Sequence, residues 1–362
     1  METRASKKRT TTNQPPSVLV PKRRRVVLEE FPDLNVSPGY QPLQKRQCRK
    51  NPNLSKSAST STISLLPNSN LDKSLCNKSN AKRDRRQIIE PYVSDISHYL
   101  HTMETQEKRR PAVDYMDNVQ TCITTNMRGA LVDWLVEVAD EYKLLPETLH
   151  LAVSYIDRFL SIESVNRSKL QLLGVSAMLI ASKYEEITPP KAVDFCQITD
   201  NTYELSEVLE MEAHVLKSLN FEMGNPNVTT FLKRFVAIAS DNRKTSNLQL
   251  QYLCNYLSDL SLLDYECLKF LPSVVAASVL FLAKFIIRPR VHPWTLSLYE
   301  SLGYESEDLE ECVTILHDLY MSRRAASLKA VRDKYKQNKF KCVTNLPSLP
   351  ELPACYFEEV RG

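Results

Sequence analysis

Apolar residues recur every three or four positions through residues 127–161, which predicts two amphipathic helices joined by a short turn. Two charged residues interrupt the apolar faces of these helices. Arg128 begins the apolar stripe of the first helix, and Asp157 falls inside the stripe of the second. Buried charges are normally paired, because a single charge away from water is costly. The pattern therefore predicts an ion pair between Arg128 and Asp157.

The same arrangement recurs downstream. Lys183 ends an apolar helical stripe that begins near residue 172, and Glu212 is flanked by apolar residues on a later helix. We therefore expect a second buried ion pair, between Lys183 and Glu212. Two buried pairs in one small helical bundle exceed what a core requires, which points to a functional role.

Proline, glycine and asparagine separate the helical segments and set their limits. An amphipathic helix is predicted from about Pro91 to Met103, followed by an irregular link. The following helices are predicted at about 126–142, 147–161, 168–184, 190–198 and 205–220.

Residues after Pro226 repeat this unit at an offset of 101 positions, which lays residues 176–184 on 277–285. The repeat predicts an all-α fold with two tandem five-helix domains. The second copy has Thr229, Ser258, Lys284 and Val313 where the first has Arg128, Asp157, Lys183 and Glu212. The apolar pattern thus persists while both ion pairs are lost, which favours a function in the first domain.

Composition narrows the classes of protein. None of the 6 glycines forms a phosphate-binding loop, which argues against a nucleotide-binding α/β fold. The 9 cysteines have no metal-ligand spacing, which indicates reduced thiols. His98 and His101 lack a completing ligand, so we expect no metal, no cofactor and no enzymatic activity. Polar residues interrupt the longest apolar run, so no membrane partner is expected.

Charge is distributed unevenly along the chain. Residues 1–86 hold 19 of the 47 Lys and Arg but only 6 of the 43 Asp and Glu. The remaining chain is acidic, so nucleic-acid binding by the body is not expected. The basic segment is polar and is predicted to be disordered. Its clusters Lys7-Lys8-Arg9 and Lys22-Arg23-Arg24-Arg25 predict nuclear import, although a solvated tail has the same composition.

Four motifs carry a family resemblance: MRGALVDWLVEV at 127–138, YIDRFL at 155–160, KLQLLG at 169–174 and ASKYEE at 181–186. They resemble the cyclin box, and their residues are similar to those of A-type cyclins, particularly the plant ones. The resemblance implies a disordered basic regulatory tail (1–86), an N-terminal helix and linker (87–125), an N-terminal cyclin box (126–224), a C-terminal cyclin fold (225–345) and a C-terminal tail (346–362).

The resemblance implies an activating subunit of a cyclin-dependent protein kinase, without catalysis of its own. Its expected location is the nucleus, with the cytoplasm as a second location. In the family, the two ion pairs support the kinase-binding surface. The kinase contacts would come from the N-terminal helix, the end of the third box helix and the fifth box helix. The corresponding residues here are Ile96, Tyr99, Lys183, Tyr184, Glu185, Glu212, Leu216 and Phe221.

A second apolar face of the first helix holds Met127, Ala130, Leu131 and Trp134. Two apolar faces indicate either a central buried helix or a docking patch. The family resemblance implies a patch that binds RxL-type motifs of substrates and inhibitors, with Glu137, Leu170 and Gln171 at its rim. Ala130 stands where the family usually has a larger aliphatic residue, which would make the pocket shallower.

In the tail, Arg25, Leu28 and Asn35 resemble a destruction box, which implies recognition by the ubiquitin-ligase machinery. Ser37-Pro38 is a possible proline-directed phosphorylation site. The alternative function is a transcription or adaptor protein with a double cyclin fold and no kinase activation. A factor of the general-transcription kind would need a Cys-rich zinc ribbon and a basic body, and both are absent from this sequence.

Overall fold

The computed structural model describes residues 92–239 and 248–358, and within these ranges the chain is helical with no strand. The tail motifs predicted within residues 1–86 lie outside the described residues. The α-helices are, in chain order, α1 (Val93–Glu104), α2 (Tyr115–Asn118), α3 (Thr125–Tyr142), α4 (Pro146–Leu160), α5 (Arg167–Glu185), α6 (Ala192–Ile198), α7 (Leu205–Ser218), α8 (Val228–Ala239), α9 (Leu248–Ser261), α10 (Pro272–Ile287), α11 (Leu296–Leu302), α12 (Ser306–Tyr320) and α13 (Ala330–Tyr335).

Helices α3–α7 and α8–α12 form two tandem five-helix domains, which confirms the predicted fold class. The five helices predicted for the first domain agree with the structure within two residues at each end. The offset also holds between domains, since α7 begins at Leu205 and α12 begins 101 positions later at Ser306. Hydrophobic periodicity was therefore sufficient to place these elements.

Local chemistry fixes where several helices begin and end. The Thr124 hydroxyl caps α3 by accepting a hydrogen bond from the Met127 backbone N–H (3.3 Å). Lys143 ends the same helix in the left-handed conformation, with φ of 56°. Pro146 and Pro272 occupy the starts of α4 and α10, where the missing N–H has no helical partner to lose.

The N-terminal helix α1 is held on the second domain by a buried carboxylate. Glu104 is 2% exposed and accepts hydrogen bonds from the Ser273 backbone N–H (2.9 Å) and hydroxyl (2.6 Å). Ser273 lies in the first turn of α10, where free N–H groups and the helix dipole favour a negative charge. The predicted N-terminal helix is thus present, and its last turn caps a helix of the second domain.

The end of the chain also packs on both domains. Asp133 of α3 accepts hydrogen bonds from the backbone N–H groups of Lys329 (3.1 Å) and Ala330 (3.0 Å), and so caps α13. Residues 346–357, which we name the C-terminal strap, then run along α10 and α12. The strap ends at Phe357, which is buried. The sequence analysis predicted only a tail beyond residue 345. The adjacent aromatic residues Tyr356 and Phe357 were the signal, missed there, that this segment packs on the domain.

Candidate functional site

Arg128 and Asp157 form a doubly hydrogen-bonded ion pair. Arg128 donates from Nε to Oδ1 (2.8 Å) and from Nη2 to Oδ2 (2.7 Å), and both side chains are 1% exposed. The predicted buried pair is therefore present. Burial by itself would lower the pKa of Arg128, but the adjacent Asp157 carboxylate raises it overall, so the guanidinium stays charged.

Two further groups complete this pair, and they place it at the junction of the domains. The Tyr115 hydroxyl donates to Asp157 Oδ1 (2.8 Å), and burial followed by the nearby Asp157 charge raises the pKa of Tyr115. Arg128 Nη1 donates to the carbonyl of Leu262, just after α9 (2.5 Å). The pair thus joins α3 and α4 of the first domain to α2, through Tyr115, and to the second domain, through Leu262.

Lys183 and Glu212 also form an ion pair (Nζ–Oε1, 2.6 Å), but the prediction that it is buried was wrong. The Lys183 side chain is 49% exposed and that of Glu212 is 12% exposed. Lys183 lies in the last turn of α5, where the helix leaves the core and its side chain reaches water. The pair therefore links the last turn of α5 to the middle of α7 at the surface.

Around this pair lies an open apolar surface of the first domain. Tyr184 is 55% exposed and Phe221 is 66% exposed, while Leu216 is half-buried. Glu185 is also half-buried, and burial followed by the charge of Glu147 raises its pKa. Together with the ion pair these side chains make up what we call the first-domain face: Lys183, Tyr184, Glu185, Glu212, Leu216 and Phe221.

The N-terminal helix adds two exposed apolar side chains, Ile96 (43%) and Tyr99 (60%). Among the described residues, no hydrogen bond or ion pair joins these two side chains to the first-domain face, but the segment after α1 is tied to it. Lys108 and Arg109 both pair with Glu222, which follows Phe221, at 2.6 Å and 2.5 Å. The predicted kinase-contact residues are therefore arranged in two groups held in fixed relation by a polar link.

The predicted docking patch is mostly buried. Met127, Leu131, Leu170 and Trp134 are between 0% and 8% exposed. The reason is close packing of α3 on α5, because a Cβ added at Gly174 would lie 2.8 Å from Leu131 Cδ1. The structure thus favours a central buried helix over an open patch at these four residues, and the half-buried rim consists of Ala130, Glu137 and Gln171.

The second domain has no copy of the Arg128–Asp157 pair, as expected, but it holds another buried carboxylate. Asp259 is 1% exposed and accepts hydrogen bonds from Lys334 Nζ (2.8 Å) and the Tyr335 hydroxyl (3.0 Å). Neighbouring charges, chiefly that of Lys334, outweigh burial and lower the pKa of Asp259 to about 2. The second copy thus lacks both ion pairs of the first, as the sequence predicted, but it buries a different carboxylate at the counterpart of Arg158.

Sequence reasoning missed several residues that hold the domains together. Arg158 donates to the carbonyls of Glu222 (2.8 Å) and Lys108 (2.9 Å), and the Tyr155 hydroxyl donates to the carbonyl of Met223 (2.9 Å). These bonds fix the link between α7 and α8. The available signal was weak: Arg158 stands beside Asp157 in an apolar helix, whereas nothing in the sequence marks the carbonyl partners.

Among the residues that the structure describes, no group of His, Cys, Asp and Glu side chains is placed to hold a metal ion. In the same ranges, no helix combines the length and apolar character needed to cross a membrane. The site is therefore described by its exposed apolar side chains and its ion pairs.

Comparison with known families shows what this arrangement is similar to. The family model for the cyclin N-terminal domain matches residues 95–224, and the model for the cyclin C-terminal domain matches residues 226–349. Together the two matches extend over more than half of the chain.

Two of the relatives that the chain resembles are plant proteins. The chain is 53% identical to the putative cyclin-A3-1 of Arabidopsis thaliana over 339 residues, 93% of this chain and 90% of the relative. It is 58% identical to the G2/mitotic-specific cyclin C13-1 of Daucus carota, over 77% of this chain and 82% of the relative. A viral cyclin from herpesvirus saimiri shares the fold, with a TM-score of 0.54 and 20% identity over 61% of this chain and 95% of that structure.

Proposed function

The chain belongs to the cyclin family, and on that premise we propose that it is a regulatory subunit that binds and activates a cyclin-dependent protein kinase. It supplies no catalytic residues of its own. The observation that carries the proposal is the open apolar first-domain face, where Tyr184 and Phe221 are both more than half exposed. Apolar side chains clustered in this way mark an interaction surface.

The rigidity of this surface accounts for activation. The helices behind the first-domain face are packed, so the face keeps its shape when a partner binds. Binding energy is then available to move the partner, and a kinase becomes active when its C-helix moves inward and its activation loop is ordered. Because the face contacts the active arrangement best, binding shifts the kinase population towards it.

The Lys183–Glu212 pair has a specific part in this proposal. At 49% exposure the Lys183 side chain is available to a partner, while Glu212 limits where its ammonium group lies. A kinase that covers the pair would remove it from water, which strengthens its electrostatic interactions. The pair therefore contributes to binding geometry more than to the stability of the free chain.

The test is a binding and activity assay with purified cyclin-dependent kinases. Tyr184→Ser together with Phe221→Ser removes the two most exposed apolar side chains of the face and should weaken kinase binding at least tenfold. Leu296→Ser is the matched control, since Leu296 is 59% exposed in the second domain. If no cyclin-dependent kinase binds the wild-type chain, or if the double variant binds as tightly as the control, the proposal fails.

The same proposal includes substrate binding, but in a weaker form than the sequence predicted. The buried Met127, Leu131 and Leu170 leave a shallow strip at Ala130, Glu137 and Gln171. The Glu137 carboxylate would attract the basic residue of an RxL-type motif. Substrate recruitment through this strip is thus expected to be weak and to depend on Glu137.

The tail motifs belong to the same proposal. Basic clusters at Lys7–Arg9 and Lys22–Arg25 would direct nuclear import, and Arg25, Leu28 and Asn35 would expose the chain to ubiquitin ligases. We place its action between S phase and mitotic entry, the timing that the A-type resemblance suggests. The alternative, an adaptor without kinase activation, predicts partner binding with no gain in kinase activity, so the same assay separates the two.

A further inference from the structure

The two domains present equivalent faces in opposite states. A shift of 101 positions carries Tyr184 of the first-domain face onto Phe285 of α10, and Leu216 onto His317 of α12. Tyr184 is 55% exposed, whereas Phe285 is 0% exposed and His317 is 2% exposed. The second domain therefore keeps a bulky face at the equivalent place, but this face is covered.

The cover is the end of the C-terminal strap. The Phe357 ring stacks on the ring of Phe281, with centroids 5.2 Å apart and planes inclined by 13°. The Tyr356 ring meets Phe285 edge-on (6.1 Å), and its hydroxyl donates to the carbonyl of Pro289 at the end of α10 (2.8 Å). Phe281 is itself the counterpart of Ile180 in the first domain.

The beginning of the strap is held by polar bonds to the neighbouring helix. The Tyr320 hydroxyl donates to the carbonyl of Leu346 (2.5 Å), and His317 Nε2 donates to the carbonyl of Leu349 (3.0 Å). Arg323 also donates to the carbonyl of Pro350. Most of these bonds go to backbone carbonyls and depend little on sequence, although His317 Nε2 also lies 3.2 Å from the Ser348 hydroxyl. The aromatic pair therefore supplies most of the selectivity.

The half-buried lysine of this face, Lys284, also differs in its surroundings from its counterpart in the first domain. Lys284, the counterpart of Lys183, lies where the position equivalent to Glu212 is Val313. Burial, and then the charge of Arg288, lowers the pKa of Lys284 to about 8. The second face has thus lost the ion pair of the first and has Ser322 at the counterpart of Phe221. It keeps an aromatic residue, Phe285, at the counterpart of Tyr184, which suits an apolar occupant.

We propose that the second domain carries a peptide-binding groove, formed by α10 and α12 at the counterpart of the first-domain face, and that the C-terminal strap is its built-in occupant. The groove recognises an irregular segment that ends in a 3-10 turn carrying two adjacent aromatic residues. The strap keeps it closed, so the chain offers a partner kinase one open face and not two. This last consequence rests on the proposed function, whereas the groove and its occupant do not.

The test uses the full-length chain and a fluorescent peptide with the strap sequence 346–357. In the variant Tyr356→Ser with Phe357→Ser, hydrogen exchange should show faster exchange in residues 346–357, and the labelled peptide should bind the emptied groove saturably. The wild-type chain should bind the peptide at least tenfold more weakly, because its groove is occupied. A peptide in which both aromatic residues are replaced by serine should bind neither chain.

Two controls make each result decisive. Leu349→Ala changes a strap side chain that is 44% exposed and leaves its carbonyl bond intact, so it should behave as wild type. Arg323→Ala removes one anchor on an exposed side chain without touching the core, so it should speed hydrogen exchange in residues 346–357 less than the double variant does. Equal peptide binding by wild type and double variant, or none by a double variant that retains its helical content, overturns the proposal. Kinase binding through the first-domain face should be unchanged in all variants, and failure of the wild-type chain to bind a kinase would count against the proposed function while leaving the groove and its occupant standing.

Discussion

Arg128 donates two hydrogen bonds to Asp157, and its third goes to the carbonyl of Leu262 in the second domain. Asp157 in turn accepts from the hydroxyl of Tyr115. A buried pair satisfied in this way tolerates removal of neither partner, because the remaining charge would be buried alone.

Arg128→Ala should therefore lower the free energy of unfolding by about 3–5 kcal/mol, the usual loss when one member of a buried pair is removed. Urea denaturation checks this. Lys183→Ala is the matched control: its ion pair is half exposed, so the loss should stay below about 1 kcal/mol. Similar losses in the two variants would show that burial does not distinguish the pairs.

In kinase assays, the Lys183–Glu212 pair should matter far more than its small contribution to stability suggests. Lys183→Ala and Glu212→Ala should each reduce kinase binding or activation strongly, with helix content by circular dichroism unchanged. Glu210→Ala, a carboxylate on the exposed side of the same helix, serves as the control. Full activation by both Lys183→Ala and Glu212→Ala would remove the role assigned to this pair.

Asp133 should make stability depend on pH. Burial, opposed by backbone N–H groups of α13, raises the pKa of Asp133 to about 6. This folded-state pKa lies above the unfolded value of about 3.9, so the folded chain binds the proton more tightly than the unfolded chain does. The resulting contribution to the free energy of unfolding is fully present below about pH 4 and is lost as the pH rises through about 6. The stability of the wild type relative to Asp133→Asn should thus fall between pH 4 and 7, by about 2–3 kcal/mol. A difference that stays flat across this range in urea titrations would contradict the raised pKa.

Glu104→Gln tests the attachment of α1. The carboxylate accepts two hydrogen bonds from Ser273, and weakening them should cost about 1–3 kcal/mol and increase hydrogen exchange in α1 before the rest of the chain. Glu107→Gln, on an exposed side chain, should leave the exchange of α1 unchanged. Kinase binding should fall with Glu104→Gln, since Ile96 and Tyr99 would lose their fixed position.

For the tail, Arg25→Ala combined with Leu28→Ala should lengthen the lifetime of the protein in late mitosis. Cycloheximide-chase measurements in synchronised cells check this against Arg46→Ala with Leu54→Ala, matched changes elsewhere in the basic tail. An unchanged half-life would reject the destruction box.

The fold was predictable because periodicity reports which side of a helix is buried, and the repeat supplied an independent copy of the pattern. Arg128 and Asp157 were found because charges within apolar stripes need partners. The exposure of Lys183 was not predictable, since periodicity does not tell how far a helix extends beyond the core. Bonds from Arg158 and Asp133 to distant backbone groups were also missed, because a carbonyl or N–H has no signature in the sequence.

The cap that Asp133 places on α13 also concerns the order in which the chain is made. Its partners, Lys329 and Ala330, leave the ribosome long after α3 has emerged, and so does the carbonyl of Leu262 that satisfies Arg128. During synthesis the Asp133 carboxylate and the third donor of Arg128 on the central helix of the first domain must therefore be hydrated by water until these later residues fold. A nascent or prematurely ended chain lacks these bonds, which leaves it less stable and more open to proteolysis than the finished protein.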